Sequence, residues 1–319
     1  MGLAIGAGIV SAQTPSTGSG QAFPTRTVRA IVPYAPGGST DVVMRILAPR
    51  MSEILGQQVI VENRPGGSST IGLDIAAKSL PDGHTIGIAN VTFCANPSLI
   101  RKMPFDSEKD LLPVSFMSLV TLVLSVHPSV PAKSVKELIA LAKAQPGVLN
   151  YASAGNASAN HLATERFNSA TGIKMTHVPY KGGGPAVIAL LSGETGLLFA
   201  TIPSSIQHFK TGKLRPLGVS SLKRSVALPD VPSIAEAAVP GFEANEWNGA
   251  LVPAGTPRAA IDRLYQAIAK SAAIPEVRER IIALGAEPVG NTPEEFGAFI
   301  KREFVTWAKI IREVGIKVE

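Results

Sequence analysis

Short apolar segments alternate with longer amphipathic segments along most of the chain. The segments 28–33, 58–62 and 85–90 are short and largely apolar, as buried strands are. Between the first two, apolar residues recur at helical spacing from Asp41 to Leu55. Strand, turn and helix repeated in this order predict a mostly parallel sheet with helices on both faces, which is an α/β fold.

The second part of the chain continues this alternation. Ser134 and Glu137 have the spacing of a capping box and predict the start of a helix that ends near Gln145. Pro185 is predicted as the first residue of another helix. The other predicted strands are 149–153, 176–179, 196–199, 214–220 and 247–252. The other predicted helices are one that ends before Pro81, one that carries His161, Leu162 and Phe167, and the segments 256–273, 276–284 and 293–314.

The order of these segments predicts two lobes joined by a hinge. A chain of 319 residues is long for one core and suits two lobes of about 100–150 residues each. We expect the strand at 247–252 to return to the first sheet. Residues 23–123 and 247–319 would then form lobe 1, and residues 124–246 would form an inserted lobe 2.

Composition and motifs exclude several classes of function. The chain is 45% apolar and 17% charged, and its net charge of +6 includes no basic run, so we expect no nucleic acid partner. Cys94 is the only cysteine and the five histidines are scattered, so neither an internal disulfide nor a metal site is expected. Nucleotide-binding and serine-hydrolase motifs are absent from the sequence, so we predict no cofactor and no catalytic residues.

The first 22 residues have features of an export signal. Leu3–Val10 is a short apolar stretch, and Val10-Ser11-Ala12 is a small-x-small pattern that signal peptidase could cut. No later apolar run has the length that a membrane span requires. We therefore expect residues 1–22 to be a residual signal peptide and the protein to be periplasmic.

Three glycine-rich or small-residue turns are the strongest candidates for a ligand-binding site in the sequence. They are the segments 36–41, 153–158 and 180–184, and each lies between a predicted strand and a predicted helix. Such turns place bare backbone N–H groups at the positive end of a helix, where an anion is stabilised. Any one of them could be an ordinary tight turn, but three turns spread over two lobes favour a site that holds a carboxylate.

Three side chains near these turns each allow two interpretations. Asp41 could contact a ligand, or it could interact with the helix dipole and cap the helix that follows. His161 could contact a ligand or could be a packing or capping histidine, and Lys181 could pair with a carboxylate or be solvated.

A series of short motifs occurs here in the order found in one family of binding proteins. Ile31–Asp41 (IVPYAPGGSTD) resembles the opening signature of that family, and Val61–Gly67 (VENRPGG) continues it. The later matches are Asn96-Pro97, Pro104–Asp106, Asp110–Val114, Tyr151–Gly155, His161-Leu162, Val178–Gly182, Gly212–Arg215 and Val252–Pro257. From Phe23 to its end, the chain thus resembles the Bug-type solute-binding proteins of tripartite tricarboxylate transporters.

The resemblance implies a type II periplasmic-binding-protein fold whose two lobes close around one small organic acid. In the family, the turn that corresponds to Tyr34–Asp41 meets one ligand carboxylate, partly through ordered water, and the lobe 2 turns supply the opposing contacts. The expected ligand-binding residues are Tyr34, Pro36, Gly37, Gly38, Ser39, Asp41, Gly67, Ser68, Thr92, Ser153, Gly155, Asn156, Ser158, His161, Tyr180, Lys181, Gly182 and Thr201. The implied partners are the membrane components of the transporter, and we expect the receptor to be a monomer.

Two departures from the family pattern bear on the ligand. Ala200-Thr201 stands where family members often carry an acid suited to a ligand amine, and Asn156-Ala157 replaces a commoner glycine-rich pair. The first change argues against an amino acid and favours an amine-free mono- or dicarboxylate, aromatic ones included. A ligand sensor for a two-component signalling partner is the alternative function, and an enzyme on the same scaffold is a third.

Overall fold

The computed structural model describes residues 23–180 and 182–316, and these residues contain two sheets. The strands of the first sheet are β1 (Val28–Val32), β2 (Val59–Asn63), β3 (Thr85–Ala89), β4 (Leu111–Val120), β10 (Glu246–Pro253) and β11 (Ala286–Pro288). The strands of the second are β5 (Leu122–Val126), β6 (Asn150–Ser153), β7 (Thr176–Pro179), β8 (Leu197–Thr201) and β9 (Arg215–Val219). The first sheet has the order β11-β4-β10-β3-β1-β2 and the second has the order β7-β6-β8-β5-β9.

Helices cover both faces of both sheets, as the sequence predicts for an α/β fold. Those of lobe 1 are α1 (Ser39–Leu55), α2 (Thr70–Ala77), α3 (Val91–Leu99), α9 (Arg258–Ala273), α10 (Pro275–Ala283) and α11 (Pro293–Val314). Those of lobe 2 are α4 (Val135–Ala144), α5 (Ala159–Thr171), α6 (Gly183–Ser192), α7 (Ile202–Lys210) and α8 (Ile234–Ala237). In lobe 1, α1, α9 and α10 share one apolar cluster, and α2, α3 and α11 share another.

The starts of α6 and α9 each differ by two residues from the prediction. Helix α6 begins at Gly183 and not at Pro185, because Gly182 has a φ of 115° and acts as its N-cap. Pro185 therefore lies in the first turn, where the missing N–H of proline leaves no hydrogen bond unmade. The helices α3, α7 and α8 are not predicted from the sequence.

The chain passes between the sheets at Thr121, which separates β4 from β5, and returns between β9 and β10. The first crossing is held by the N–H of Thr121, which donates to the carbonyl O of Gly285 at 3.2 Å. Glycine is required at position 285, where φ is 63° and a Cβ atom would lie 2.5 Å from Cδ1 of Ile202 in lobe 2. The close contact between the lobes at this point thus requires a residue without a Cβ atom at position 285.

An alanine at Gly285 should therefore push the lobes apart. We expect Gly285→Ala to lower the free energy of unfolding by about 1–3 kcal/mol and to enlarge the radius of gyration, because neither the backbone nor Ile202 can accommodate the methyl group. Urea unfolding and small-angle X-ray scattering measure the two effects. Gly212→Ala is the matched control, because Gly212 has a φ of 68° and no atom within 4 Å of its added Cβ. An equal effect of both substitutions would show that only backbone strain is involved.

Candidate ligand-binding site

The candidate site lies where the carboxyl edges of the two sheets face each other. Strand β1 pairs in parallel with β2 and β3, and β6 pairs in parallel with β7 and β8. Because parallel strands end at one edge, the turns that follow these six strands converge, three from each lobe. A direct contact joins the two edges, since the hydroxyl of Ser68 donates to the carbonyl O of Asn156 at 3.3 Å.

A cavity of about 190 Å³ opens between the lobes at these edges. Its lining is uncharged, with hydroxyl groups and a glycine backbone on one part and an apolar wall on the other. The lining residues are Gly37, Ser39, Val42, Val43, Val120, Thr201, Pro203, Ser204, Leu284 and Ala286. A carboxylate with a short hydrocarbon body matches this division into polar and apolar parts.

Two helices begin at the cavity, one from each lobe. The N-cap residues are Gly38 for α1 and Thr201 for α7, and neither helix start receives a side-chain capping hydrogen bond. The first N–H groups of a helix have no partner within it and carry the positive end of the helix dipole. The cavity is thus bounded by hydrogen-bond donors on both sides.

The first turn of α1 is shaped by Asp41. Its buried carboxylate accepts hydrogen bonds at 2.9 Å from the N–H of Gly37, from Nε of Arg45 and from Nδ2 of Asn63. Burial raises the pKa of Asp41, but these three donors outweigh it and hold the pKa below its ordinary value. All of these partners belong to the protein, and the hydrogen bond from Gly37, which precedes the N-cap, gives Asp41 the role of holding that residue in place.

A buried network of hydroxyl and amide groups joins the three turns of lobe 1. The hydroxyl of Tyr34 donates to Oδ1 of Asn90 and lies 2.5 Å from Oγ1 of Thr92. Thr92 in turn donates its N–H to Asn90 at 3.0 Å and contacts Oγ of Ser69 at 3.0 Å. Burial raises the pKa of Tyr34, so its hydroxyl is protonated at neutral pH. The network positions the turns and leaves the Thr92 side chain only 2% exposed.

The turn after β2 has a left-handed backbone throughout. The four residues Gly66–Ser69 have φ angles of 125°, 56°, 52° and 76°. This conformation costs about 1–2 kcal/mol for each residue other than glycine. The amide of Asn96 compensates, donating to the carbonyl O of Ser68 at 2.7 Å. The turn places Ser68 against lobe 2.

In lobe 2, several predicted contact residues have side chains that bond to other groups of the protein. Oγ of Ser153 lies 2.6 Å from Nε2 of His177 and accepts the N–H of Gly155 at 3.1 Å. The hydroxyl of Tyr180 donates to Glu194 at 2.9 Å, and Glu194 precedes β8, at the far edge of the sheet. The side chains of Ser153 and Tyr180 therefore support the turns and are not directed into the cavity.

His161 belongs to a stack of rings beneath the turn 153–158. Its ring lies parallel to that of His177 with 4.0 Å between the centroids, and the ring of Tyr151 stacks on His177 with 4.9 Å between the centroids. Nδ1 of His161 accepts the N–H of Ala157 at 3.0 Å, which fixes a residue whose φ is 58°. Burial, with a smaller contribution from His177, lowers the pKa of His161 to about 3, and burial lowers that of His177 to about 4.

Glu246 is a buried carboxylate next to the cavity that the sequence did not identify. It is the first residue of β10 and is 6% exposed. Its Oε1 accepts hydrogen bonds from Oγ of Ser39 at 2.8 Å and from Nδ2 of Asn90 at 3.2 Å. Burial raises the pKa of Glu246, and hydrogen bonds from Ser39, Asn90 and Thr40 act in the opposite direction.

The structure distributes the predicted site residues over three groups. Gly37, Ser39 and Thr201 line the cavity. Tyr34, Asp41, Thr92, Ser153 and His161 lie beneath the turns with their side chains bonded inside the protein. Pro36, Gly38, Gly67, Ser68, Gly155, Asn156, Ser158, Tyr180 and Gly182 lie along the two edges without lining the cavity. Lys181 is outside the described residues.

Sequence reasoning missed most of the apolar wall. Pro203 and Ser204 follow directly after β8, so the rule that ligands bind beyond the carboxyl ends of parallel strands could have found them. Leu284 and Ala286 come from the far end of the chain, and no local pattern marks them.

Two sheets with facing carboxyl edges, two crossings and a cavity between the lobes define a two-lobed solute-binding protein of the periplasmic class. Residues 43–316 match the family described as the tripartite tricarboxylate transporter family receptor. The chain belongs to this family, as its resemblance to the Bug-type proteins predicted.

Individual relatives agree with this assignment. The chain is 38% identical to the protein BugT of Bordetella pertussis over 317 residues, which cover 99% of this chain and 97% of BugT. A structure from R. palustris with adipate is 35% identical, covers 92% of this chain and 99% of its own, and has a TM-score of 0.86. MatC from Rhodopseudomonas palustris with bound malate is 30% identical, covers 91% of this chain and all of its own (100%), and has a TM-score of 0.82.

The two stacked histidines should make the protein sensitive to mild acid. Because the folded state lowers the pKa of His161, the unfolded chain binds protons first as the pH falls below about 6.5. Stability is therefore complete above pH 6.5 and is lost as the pH falls toward 3. The loss that one such histidine causes is at most about 1.4 kcal/mol per pH unit.

His161→Asn tests this, since the asparagine Oδ1 can still accept the N–H of Ala157 but cannot titrate. Between pH 7 and pH 5, the variant should lose about 1–2 kcal/mol less unfolding free energy than the original protein. Urea unfolding at the two pH values measures the difference. Equal losses of unfolding free energy in the two proteins would show that the titration of His161 is not the cause of the acid sensitivity.

Proposed function

We propose that the protein is an extracytoplasmic receptor that captures a small organic carboxylate in the interlobe cavity and delivers it to the membrane components of a tripartite tricarboxylate transporter. Its family supports this role, which needs binding and release without turnover. A single chain already provides both walls of the cavity, so the role needs only a monomer.

The observation that carries the proposal is the pair of uncapped helix starts at one cavity. The N-terminal ends of α1 and α7 face it from opposite lobes, with Ser39 at the first and Thr201 and Ser204 at the second. The hydroxyl of Ser39 is donated to Glu246, so the backbone N–H groups of the two helix starts are the donors that remain for a ligand. An anion held by several N–H and O–H donors gains about 1.5–3 kcal/mol for each charge-assisted hydrogen bond. Such an arrangement can bind a carboxylate without a basic side chain.

The apolar wall supports a ligand with a hydrocarbon body. Val42, Val120 and Leu284 offer methyl groups and no hydrogen-bonding side chain to it. The lining also contains no acidic side chain to pair with an amine, and Thr201 stands where the family often has an acid. We therefore propose amine-free mono- or dicarboxylates, aromatic ones included, and the relatives solved with adipate and malate support acids of this type.

We also propose that the protein acts in the periplasm, where the family's receptors act. Within residues 23–180 and 182–316, none of the helices is long and apolar enough to cross a membrane. The signal peptide predicted from the sequence falls at residues 1–22, outside the described residues.

Carboxylate binding should raise the melting temperature, and an acid at the start of α7 should abolish that rise. A ligand at about 100 times its Kd adds about 2.7 kcal/mol to the folded state. The measurement is thermal unfolding with a panel of mono- and dicarboxylates, with sugars as controls. Thr201→Asp should remove the shift by repulsion, while Thr201→Asn should keep most of it.

Asparagine and aspartate are both good N-cap residues, so neither variant should lose helix stability. Comparing Thr201→Asp with Thr201→Asn therefore measures the effect of the added negative charge alone. The proposal would be wrong if no carboxylate shifted the melting temperature while another solute did. If Thr201→Asp bound carboxylates as tightly as the original protein, the start of α7 would not be part of the binding site.

A further inference from the structure

Part of the cavity lining belongs to the hinge between the lobes. Val120 and Ala286 line the cavity and lie opposite each other in the ladder of β4 and β11, and Leu284 lines it beside them. These three residues flank Thr121 and Gly285, whose hydrogen bond holds the first crossing between the lobes. Val120, Leu284 and Ala286 together are called the hinge floor below.

The backbone of the hinge floor is fixed from both lobes. The N–H groups of Leu284 and Gly285 donate to carbonyl groups in the last turn of α10 at 3.1 and 2.8 Å. Toward lobe 2, a Cβ atom at Gly285 would lie 2.5 Å from Cδ1 of Ile202, so the chain has no room to move closer to α7. The hinge floor therefore cannot withdraw from the cavity without breaking these contacts.

Leu284 is the residue of the hinge floor that presents side-chain surface to a ligand. Val120 is 1% exposed and Ala286 is 5% exposed, whereas Leu284 is only partly buried. The Leu284 side chain also packs against the apolar core of lobe 1. Because protein interiors are close-packed, this core offers no space into which the side chain could turn away.

A ligand held between the two helix starts has its hydrocarbon body next to the hinge floor. The starts of α1 and α7 bound the same cavity as Leu284, and its volume is about 190 Å³. Ligand pockets usually have about 300–1,000 Å³, so this one has little spare room. A branch on the ligand body that is directed at the hinge floor would overlap Leu284 or hold the lobes apart.

We propose that Leu284, held in place beside the hinge, limits the width of the ligand body, so that the receptor rejects carboxylates whose hydrocarbon chain branches at its middle. This inference rests on the proposed function and adds a specificity-determining residue to it. It concerns the body of the ligand alone and leaves the carboxylate contacts as they are proposed above.

The test compares unbranched acids with branched acids of the same chain length. The pairs are glutarate with 3,3-dimethylglutarate and adipate with 3,3-dimethyladipate. Two methyl groups on one carbon ensure that one of them faces the hinge floor in either orientation of the ligand. By calorimetry, the original protein should bind the unbranched acid of a pair about tenfold or more tightly, because overpacking a fitted site is destabilising.

Variants with a smaller side chain at position 284 should accept the branched acids. In Leu284→Ala, which removes three carbon atoms, the preference for the unbranched acid should fall to about twofold or less. Leu284→Val removes one carbon atom, disturbs the core less and should give an intermediate preference. Val289→Ala is the matched control, because Val289 is 41% exposed and lies outside the cavity lining, so this variant should keep the full preference.

Equal binding of both acids in each pair by the original protein would overturn the inference, as would a preference that stays unchanged in Leu284→Val and Leu284→Ala. A thermal panel in which citrate or another branched acid gave the largest shift would also overturn it. Each of these results would leave the receptor function intact, because carboxylates would still bind. Failure of every carboxylate in the thermal panel would instead overturn the proposed function.

Discussion

The parallel pairing of three strands in each sheet is the constraint on which the site depends. It brings the turns after β1, β2 and β3 to one edge and those after β6, β7 and β8 to another. Helices that follow parallel strands begin at the same edge, so their positive ends converge there without any basic side chain. The two crossings then place one edge opposite the other.

Much of the polar chemistry near the cavity supports these turns and does not face a ligand. Asp41 holds Gly37, the amide of Asn96 holds the left-handed turn at Ser68, and His161 holds Ala157. Each turn has positive φ angles that would be costly if left unsupported. The protein therefore places buried polar groups behind the turns and leaves backbone N–H groups of the helix starts in front of them.

The sequence predicted the strand–helix alternation and the turns because both are local. Strands β1, β2 and β3 and the turn at 36–41 follow directly from apolar runs and glycines. Helix α7 was missed because Pro203 stands at its start and its nine residues are too few for a clear period. Glu246 was missed because only the return of β10 to lobe 1 brings it beside Ser39, which is 207 positions away in the chain. Contacts of this kind depend on topology and not on any local pattern.

The lobes also share an apolar contact, which limits how the cleft can open. Ala157 and Leu162 of lobe 2 belong to one buried cluster with Phe93 and Trp247 of lobe 1. Separating them would expose apolar surface at a cost of about 25 cal/mol for each Å². A movement that admits ligand therefore costs less when it keeps the start of α5 packed on lobe 1. A ligand shifts that equilibrium only by its differential affinity for the closed form, so contacts that one ligand makes with both helix starts favour closure most.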